Sequence, residues 1–293
     1  MEARALAANI ELNMLVQTRR ALRLLLAQPA ARAPGLAHVR DLEIAGAAGS
    51  LRARYYEPAH ADPGPLLLFF HGGGFVCGDI DTHDSITSWL AKTSGLRVLS
   101  VGYRLAPETL FPGQIDDARA ACAWALSAAG SFGAASEKLC VGGDSAGAYL
   151  AMTCALELNA RRAGTVPAQA LLYPLVHIDR TLWAEEELRN FRFVGRLATL
   201  YIAAKLGAEH FPSLLELDLT HAPATVLASG GALDPVRADV KTLATALKAA
   251  GVRVAEKKYP VLMHGGLNFT AVSKLAVNAL TDVGAALREE LAR

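Results

Sequence analysis

The sequence predicts an α/β fold, with a mostly parallel central sheet flanked by helices and interrupted by a helical insertion. Two patterns point to it. From Pro65 onward, short apolar runs that suit buried strands alternate with longer helical patterns, as a parallel sheet covered on both faces requires. Several of those runs end in glycine-rich turns, notably His71-Gly72-Gly73-Gly74 and Gly143-Asp144-Ser145-Ala146-Gly147. The length allows one or two domains, and 293 residues that are 52% hydrophobic suffice for one large core.

In chain order, Leu6, Ile10, Leu15, Leu22 and Leu26 recur at roughly helical spacing and predict a broken helix over 2–28, ended by Pro29 and Pro34-Gly35. Residues 38–44 and 51–56 alternate in character across Gly46 to Ser50 and suit an antiparallel hairpin. The parallel strands are expected at 66–70, 97–103, 139–142, 168–173, 224–229 and 252–257. Helices are expected at 83–94, 114–129, 146–162, 236–250 and 270–291. Between them, 179–211 is charged, helical in pattern and free of strand signal, and reads as a lid-like insertion. The organisation expected is an N-terminal helical part at 1–40, core at 41–178, insertion at 179–211 and core again at 212–293.

Formal net charge is +1 with no basic or acidic block, which argues against a nucleic-acid partner or an anionic surface. No apolar run approaches a bilayer span, so stable membrane insertion is not expected. The stretch Arg19 to Ala27 has a faint signal-peptide look. Its apolar part is short, carries Arg23 and follows Glu2 and Glu11, so it reads as helix. Cys77, Cys122, Cys140 and Cys154 are scattered, without metal-ligand spacing, and fit reduced residues of a cytoplasmic protein.

The chemistry concentrates in four places. Ser145 stands in G-x-S-x-G between a predicted strand and a predicted helix, where small neighbours let the strand and helix pass closely and the hydroxyl stand clear of the sheet. The bland alternative is a small-residue connection. Three consecutive glycines after His71 expose backbone N–H groups that can face a developing oxyanion. His71 itself, at a strand end and ahead of the serine, is expected to brace that loop rather than act as base. Asp234 and His264 follow Ser145 in the order acid then base, each past a predicted strand, on the rim where open α/β sheets bind ligands. Asp234 before Pro235 also suits a helix N-cap, and Asp218 and Asp239 are weaker candidates for the acid.

Taken together, these motifs resemble the hormone-sensitive-lipase-like esterases of the α/β-hydrolase fold, the bacterial family IV lipolytic enzymes. The resemblance runs from about Pro65 to the end. It rests on His71-Gly72-Gly73-Gly74-Phe75, Tyr103-Arg104-Leu105-Ala106-Pro107-Glu108, Phe111-Pro112 with Asp116-Asp117, the Gly143–Gly147 motif, Tyr173-Pro174, Asp234-Pro235 and His264-Gly265. It implies Ser145 as nucleophile, His264 as general base and acid, Asp234 as its orienting partner, and amides of Gly72, Gly73, Gly74 and Ala146 as the oxyanion hole. It further implies a cap built from residues 1 to about 40 and 179–211, no metal or cofactor, and a homodimer through the last strand as one option.

The sequence departs from the family pattern at Ala148, where another glycine is usual, at Gly266-Leu267, where an aromatic commonly follows His-Gly, and along Val236–Asp239. These positions bear on substrate range, not on the three catalytic roles. The implied activity is hydrolysis of small esters with short to medium acyl chains, with Phe75, Trp183, Phe191, Phe193 and Leu267 as candidate pocket residues. An amide or formamide hydrolase would use the same groups. A non-catalytic small-molecule receptor on this fold is disfavoured by His264, because the plant receptor of this kind lacks the base.

Overall fold

The computed structural model describes residues 17, 19, 20, 30–135, 137–178, 206, 207 and 211–293. The eight predicted strands are all present: β1 (Leu36–Gly46), β2 (Gly49–Pro58), β3 (Leu66–Phe70), β4 (Val98–Val101), β5 (Leu139–Asp144), β6 (Ala168–Leu172), β7 (Ala224–Ser229) and β8 (Val254–Lys258). They form one sheet in the order β1-β2-β4-β3-β5-β6-β7-β8. β1 and β2 make the expected antiparallel hairpin, and β2 runs antiparallel to β4. Every later pair is parallel.

β3, β4, β5 and β6 are buried along their whole lengths, which is why they read as unbroken apolar runs rather than alternating ones. The helices are α1 (Asp84–Ser94), α2 (Gly113–Ala128), α3 (Ala146–Arg161), α4 (Arg237–Ala249) and α5 (Lys274–Leu291). α1 packs on α5 over one face of the sheet, while α2 and α3 pack together over the other.

Boundaries differ from expectation where a cap or turn intervenes. The helix expected from 270 starts at Lys274 because Ser273 takes the Ala276 N–H at 3.2 Å as its N-cap. The strand expected over 97–103 keeps only Val98–Val101. Beyond it Tyr103 turns its hydroxyl onto the His71 carbonyl at 2.7 Å, and Arg104 turns onto Asp117. All four cysteines are unpaired, with three of them buried. No described helix is long and apolar enough to cross a membrane. Trp183, Phe191, Phe193 and most of the helix expected over 2–28 lie outside the described residues. Positions 17, 19 and 20 are helical.

Candidate active site

The β5–α3 turn places Ser145 at φ 52°, ψ −118°, a left-handed conformation that a non-glycine residue adopts only under constraint. The constraint comes from packing. A Cβ on Gly147 would clash with the Phe70 carbonyl, and one on Gly143 with the Gly147 backbone, so β5 and α3 cross too closely for any side chain. Ser145 N–H donates to the Leu172 carbonyl at 2.9 Å, and its own carbonyl accepts from Leu175 N–H at 3.0 Å. The turn is thereby fixed to the end of β6.

Two loops at the same end of the sheet bring the acid and base. Asp234 follows β7 and is completely buried; His264 follows β8, with its side chain 29% exposed. The loops are joined where Gly231 N–H donates to the Leu262 carbonyl at 2.8 Å. His264 Nδ1 lies 2.9 Å from Asp234 Oδ1, and His264 Nε2 lies 2.9 Å from Ser145 Oγ. A carboxylate can only accept, so Nδ1 carries a proton and Nε2 is free to accept from the serine hydroxyl. Burial alone would lower the pKa of His264. The charge and hydrogen bond of Asp234, with the charge of Asp144 beyond, outweigh it and hold the imidazole above its ordinary value.

Asp234 Oδ1 also accepts from Val236 N–H at 3.1 Å. Its N-cap reading is corrected: α4 starts only at Arg237, so Asp234 closes the turn before the helix rather than capping it. Of the weaker acid candidates, Asp218 caps a short 3-10 turn through Thr220 N–H, and Asp239 pairs with His177 at 3.2 Å. Neither reaches His264 among the described contacts.

The glycine loop after β3 is held from several sides. Val76 and Cys77 N–H donate to the Gly73 carbonyl at 3.1 and 3.0 Å, and Ala106 N–H donates to the Phe75 carbonyl at 2.9 Å. Arg19 reaches the loop from the N-terminal part of the chain. Its Nε donates to the Val76 carbonyl at 2.6 Å, Nη2 to the Ala106 carbonyl at 2.7 Å, and Nη1 and Nη2 grip Glu108 at 2.7 and 2.9 Å. Gly73 sits at φ 117° and Gly74 at φ 61°. Among the described residues the amides of Gly73, Gly74 and Ala146 have no hydrogen-bond acceptor, whereas Gly72 N–H is taken by Asp144 Oδ1 at 2.8 Å. His71 lies stacked on Tyr103 at 4.3 Å with Nδ1 2.8 Å from the Gly72 carbonyl, and burial pushes its pKa down to about 4. It braces the loop as expected.

Phe75 and Leu267 are both fully buried, and Phe75 packs against Tyr149 and Phe211 with ring centroids 6.0 and 5.6 Å apart. Sequence reasoning missed Phe211, Arg19 and the pair His83–Asp144. Asp144 was visible as the variable position of G-x-S-x-G. Nothing in the spacing of His83 links it to that motif.

The fold is that of the α/β-hydrolase class, and the profile of the α/β-hydrolase fold matches residues 67–268. The carboxylic ester hydrolase LipN of Mycobacterium tuberculosis is 36% identical over 269 residues, spanning 87% of this chain and 71% of that protein. The ethyl acetate hydrolase of Pseudomonas putida is 31% identical over 266 residues, spanning 86% and 83%. The structure of an esterase from the bacterial hormone-sensitive lipase family matches with TM-score 0.80 at 28% identity, covering 93% of this chain and 90% of that one. The chain belongs to the hormone-sensitive-lipase-like, family IV esterases of the α/β-hydrolase fold.

Proposed function

We propose that this protein is a serine carboxylesterase that hydrolyses small esters with short to medium acyl chains through an acyl-enzyme intermediate. The observation that carries the reading is the continuous relay Ser145 Oγ, His264 Nε2, His264 Nδ1, Asp234 Oδ1, with both links at 2.9 Å. Ser145 Oγ attacks the ester carbonyl while its proton passes to His264 Nε2, and the Asp234 carboxylate balances the imidazolium that forms. The carbonyl oxygen becomes an oxyanion that the amides of Gly73, Gly74 and Ala146 receive. Gly72, whose N–H is committed to Asp144, anchors the loop instead of facing the substrate. Collapse of the tetrahedral intermediate breaks the bond to the alcohol, which leaves with the proton from Nε2. A water then gives its proton to Nε2 and its oxygen to the acyl carbon, releasing the acid and restoring Ser145.

The short acyl preference is supported by the ethyl acetate hydrolase among the relatives. The test is a p-nitrophenyl ester series from acetate to palmitate with a matching anilide series, together with labelling by an organophosphonate. Activity should peak among the short and medium esters. Ser145→Ala should abolish labelling and cut turnover by at least about 10³-fold. A labelled Ser145→Ala protein identifies a different nucleophile, and anilides turned over faster than esters make the protein an amidase.

A further inference from the structure

Directly beneath the glycine loop lies a second histidine–carboxylate pair that the triad chemistry does not use. His83 stands at the start of α1, and Asp144 is the residue before the nucleophile; both are buried. His83 Nε2 lies 3.3 Å from Asp144 Oδ2, while Asp144 Oδ1 accepts the Gly72 N–H at 2.8 Å. One carboxylate thus bridges the side chain of His83 and the backbone at the root of the oxyanion loop. The fit is close: a Cβ on Gly72 would collide with Asp144 Oδ2.

The remaining groups facing His83 lie on its other nitrogen. Its Nδ1 meets Thr82 Oγ1 at 2.9 Å and the Asp79 carbonyl at 3.3 Å, and the Thr82 hydroxyl donates to that same carbonyl at 2.9 Å. With the hydroxyl proton so placed, Nδ1 is left to donate, and Nε2 faces the Asp144 carboxylate at 3.3 Å as the ion-pair contact of a protonated ring. His71, with ring centroid 5.5 Å away, is held neutral by burial and by the charge of His83 itself. Burial alone would lower the pKa of His83 and raise that of Asp144. Their mutual charge and hydrogen bond reverse both, so His83 is raised and Asp144 lowered.

We propose that His83 is a positioning residue for the oxyanion hole: by holding Asp144 Oδ2 it fixes the carboxylate whose other oxygen takes the Gly72 N–H, and so aims the Gly73 and Gly74 amides at the acyl oxygen. This rests on the serine-esterase reading above. The competing account is that His83 only neutralises a buried carboxylate, in which case it supports the fold and leaves the geometry of the loop alone. Magnitude separates the two. Loss of one aligned oxyanion donor costs about 10²–10³ in kcat, and small displacements of reacting groups cost up to about 10²-fold, whereas a remote stability defect leaves the turnover of folded molecules unchanged.

The experiment compares wild type, His83→Leu and His83→Gln at one pH where the wild type is fully active. The readouts are kcat and KM for p-nitrophenyl acetate, the second-order rate of organophosphonate labelling, and the melting temperature. His83→Leu should lose about 10–100-fold in kcat and in labelling rate, with KM within about threefold. His83→Gln, which keeps an N–H donor but no charge, should recover kcat to within about fivefold of wild type. Three results overturn the proposal: a folded His83→Leu with wild-type kcat, a loss confined to KM, or a glutamine variant no faster than the leucine one. A His83→Gln protein that shows no thermal transition overturns it as well, because the side chain is then required by the fold rather than through its donor. If the leucine variant alone fails to fold, His83→Gln with kcat near wild type supports the proposal and a 10-fold or greater loss sinks it. A folded wild type that cleaves no ester and takes no label removes the esterase reading, and this inference with it.

Discussion

His264 sits between two carboxylates of different standing. Asp234 touches it, with Nδ1 to Oδ1 at 2.9 Å, while Asp144 acts on it through charge alone. Direct contact fixes the tautomer as well as the pKa, so the two should separate under mutation. Asp234→Asn removes the charge that holds the imidazole above its ordinary value and lets the amide donate to Nδ1, which would leave the ring proton on Nε2, so that Nε2 cannot accept from Ser145. The expected result is a fall in kcat of about 10³–10⁴-fold, with the acid limb of any residual pH profile displaced to lower pH. A limb that stays in place while kcat falls would mean that Asp234 orients His264 without raising its pKa. In the proposed mechanism neutral His264 is the working form, so in wild type kcat/KM should rise with pH through a midpoint above about 6.5.

At the scale of elements, the sheet end is held by buried anchors that reach across the chain. Asp117 on α2 is fully buried. Its Oδ2 accepts from Arg104 N–H and Nε at 3.0 and 2.7 Å, and its Oδ1 from Arg104 Nη2 at 2.8 Å and from Ala47 N–H at 3.2 Å. One side chain thus ties α2 to the segment after β4 and to the β1–β2 turn. Asp117→Ala should cost about 2–3 kcal/mol in chemical unfolding. That lies at or below the lower end for breaking a buried pair, because the Arg104 side chain is one-third exposed and can recover water. The exposed Asp116–Arg119 pair beside it should be worth under about 1 kcal/mol, so Asp116→Ala serves as the control; equal losses would refute the distinction.

The same contrast explains what the sequence made legible. β3 to β7 could be read because burial on both faces leaves unbroken apolar runs, and β1 and β2 because a hairpin leaves alternation; β8, only half-buried, followed from the alternation of strand and helix. That Ser145, Asp234 and His264 meet could be anticipated because each follows a strand at the same end of the sheet. Strand and helix ends shifted where a single side chain such as Ser273 or Tyr103 stops the element. Links made only in three dimensions left no local pattern at all: Arg19 to Val76 and Glu108, His83 to Asp144, and Phe211 to Phe75.

For the whole molecule, the buried histidines set stability and activity against each other. Burial lowers His71 to about 4, whereas His83 and His264 are raised by the carboxylates they contact. His71 binds a proton more readily in the unfolded chain. Its neutral folded form is therefore fully accommodated above about pH 6.5, and stability is lost as pH falls from there toward 4. His83 and His264 behave oppositely. Their protonated forms stabilise the fold fully below about pH 6.5, and that contribution is lost as pH rises through their folded pKa values. Asp144, held below the ordinary carboxylate range, adds a further loss in acid as pH falls through its folded value. These effects together place maximum stability around pH 6.5, while turnover keeps rising above it as His264 gives up its proton. Melting temperature measured from pH 4.5 to 9 should therefore peak near 6.5 and decline through the window in which kcat/KM climbs. In His264→Gln the alkaline decline should shrink but not vanish, since His83 retains its share. A wild-type melting temperature that continues to rise from pH 6.5 to 8.5 would show that neither histidine is held charged by its carboxylate.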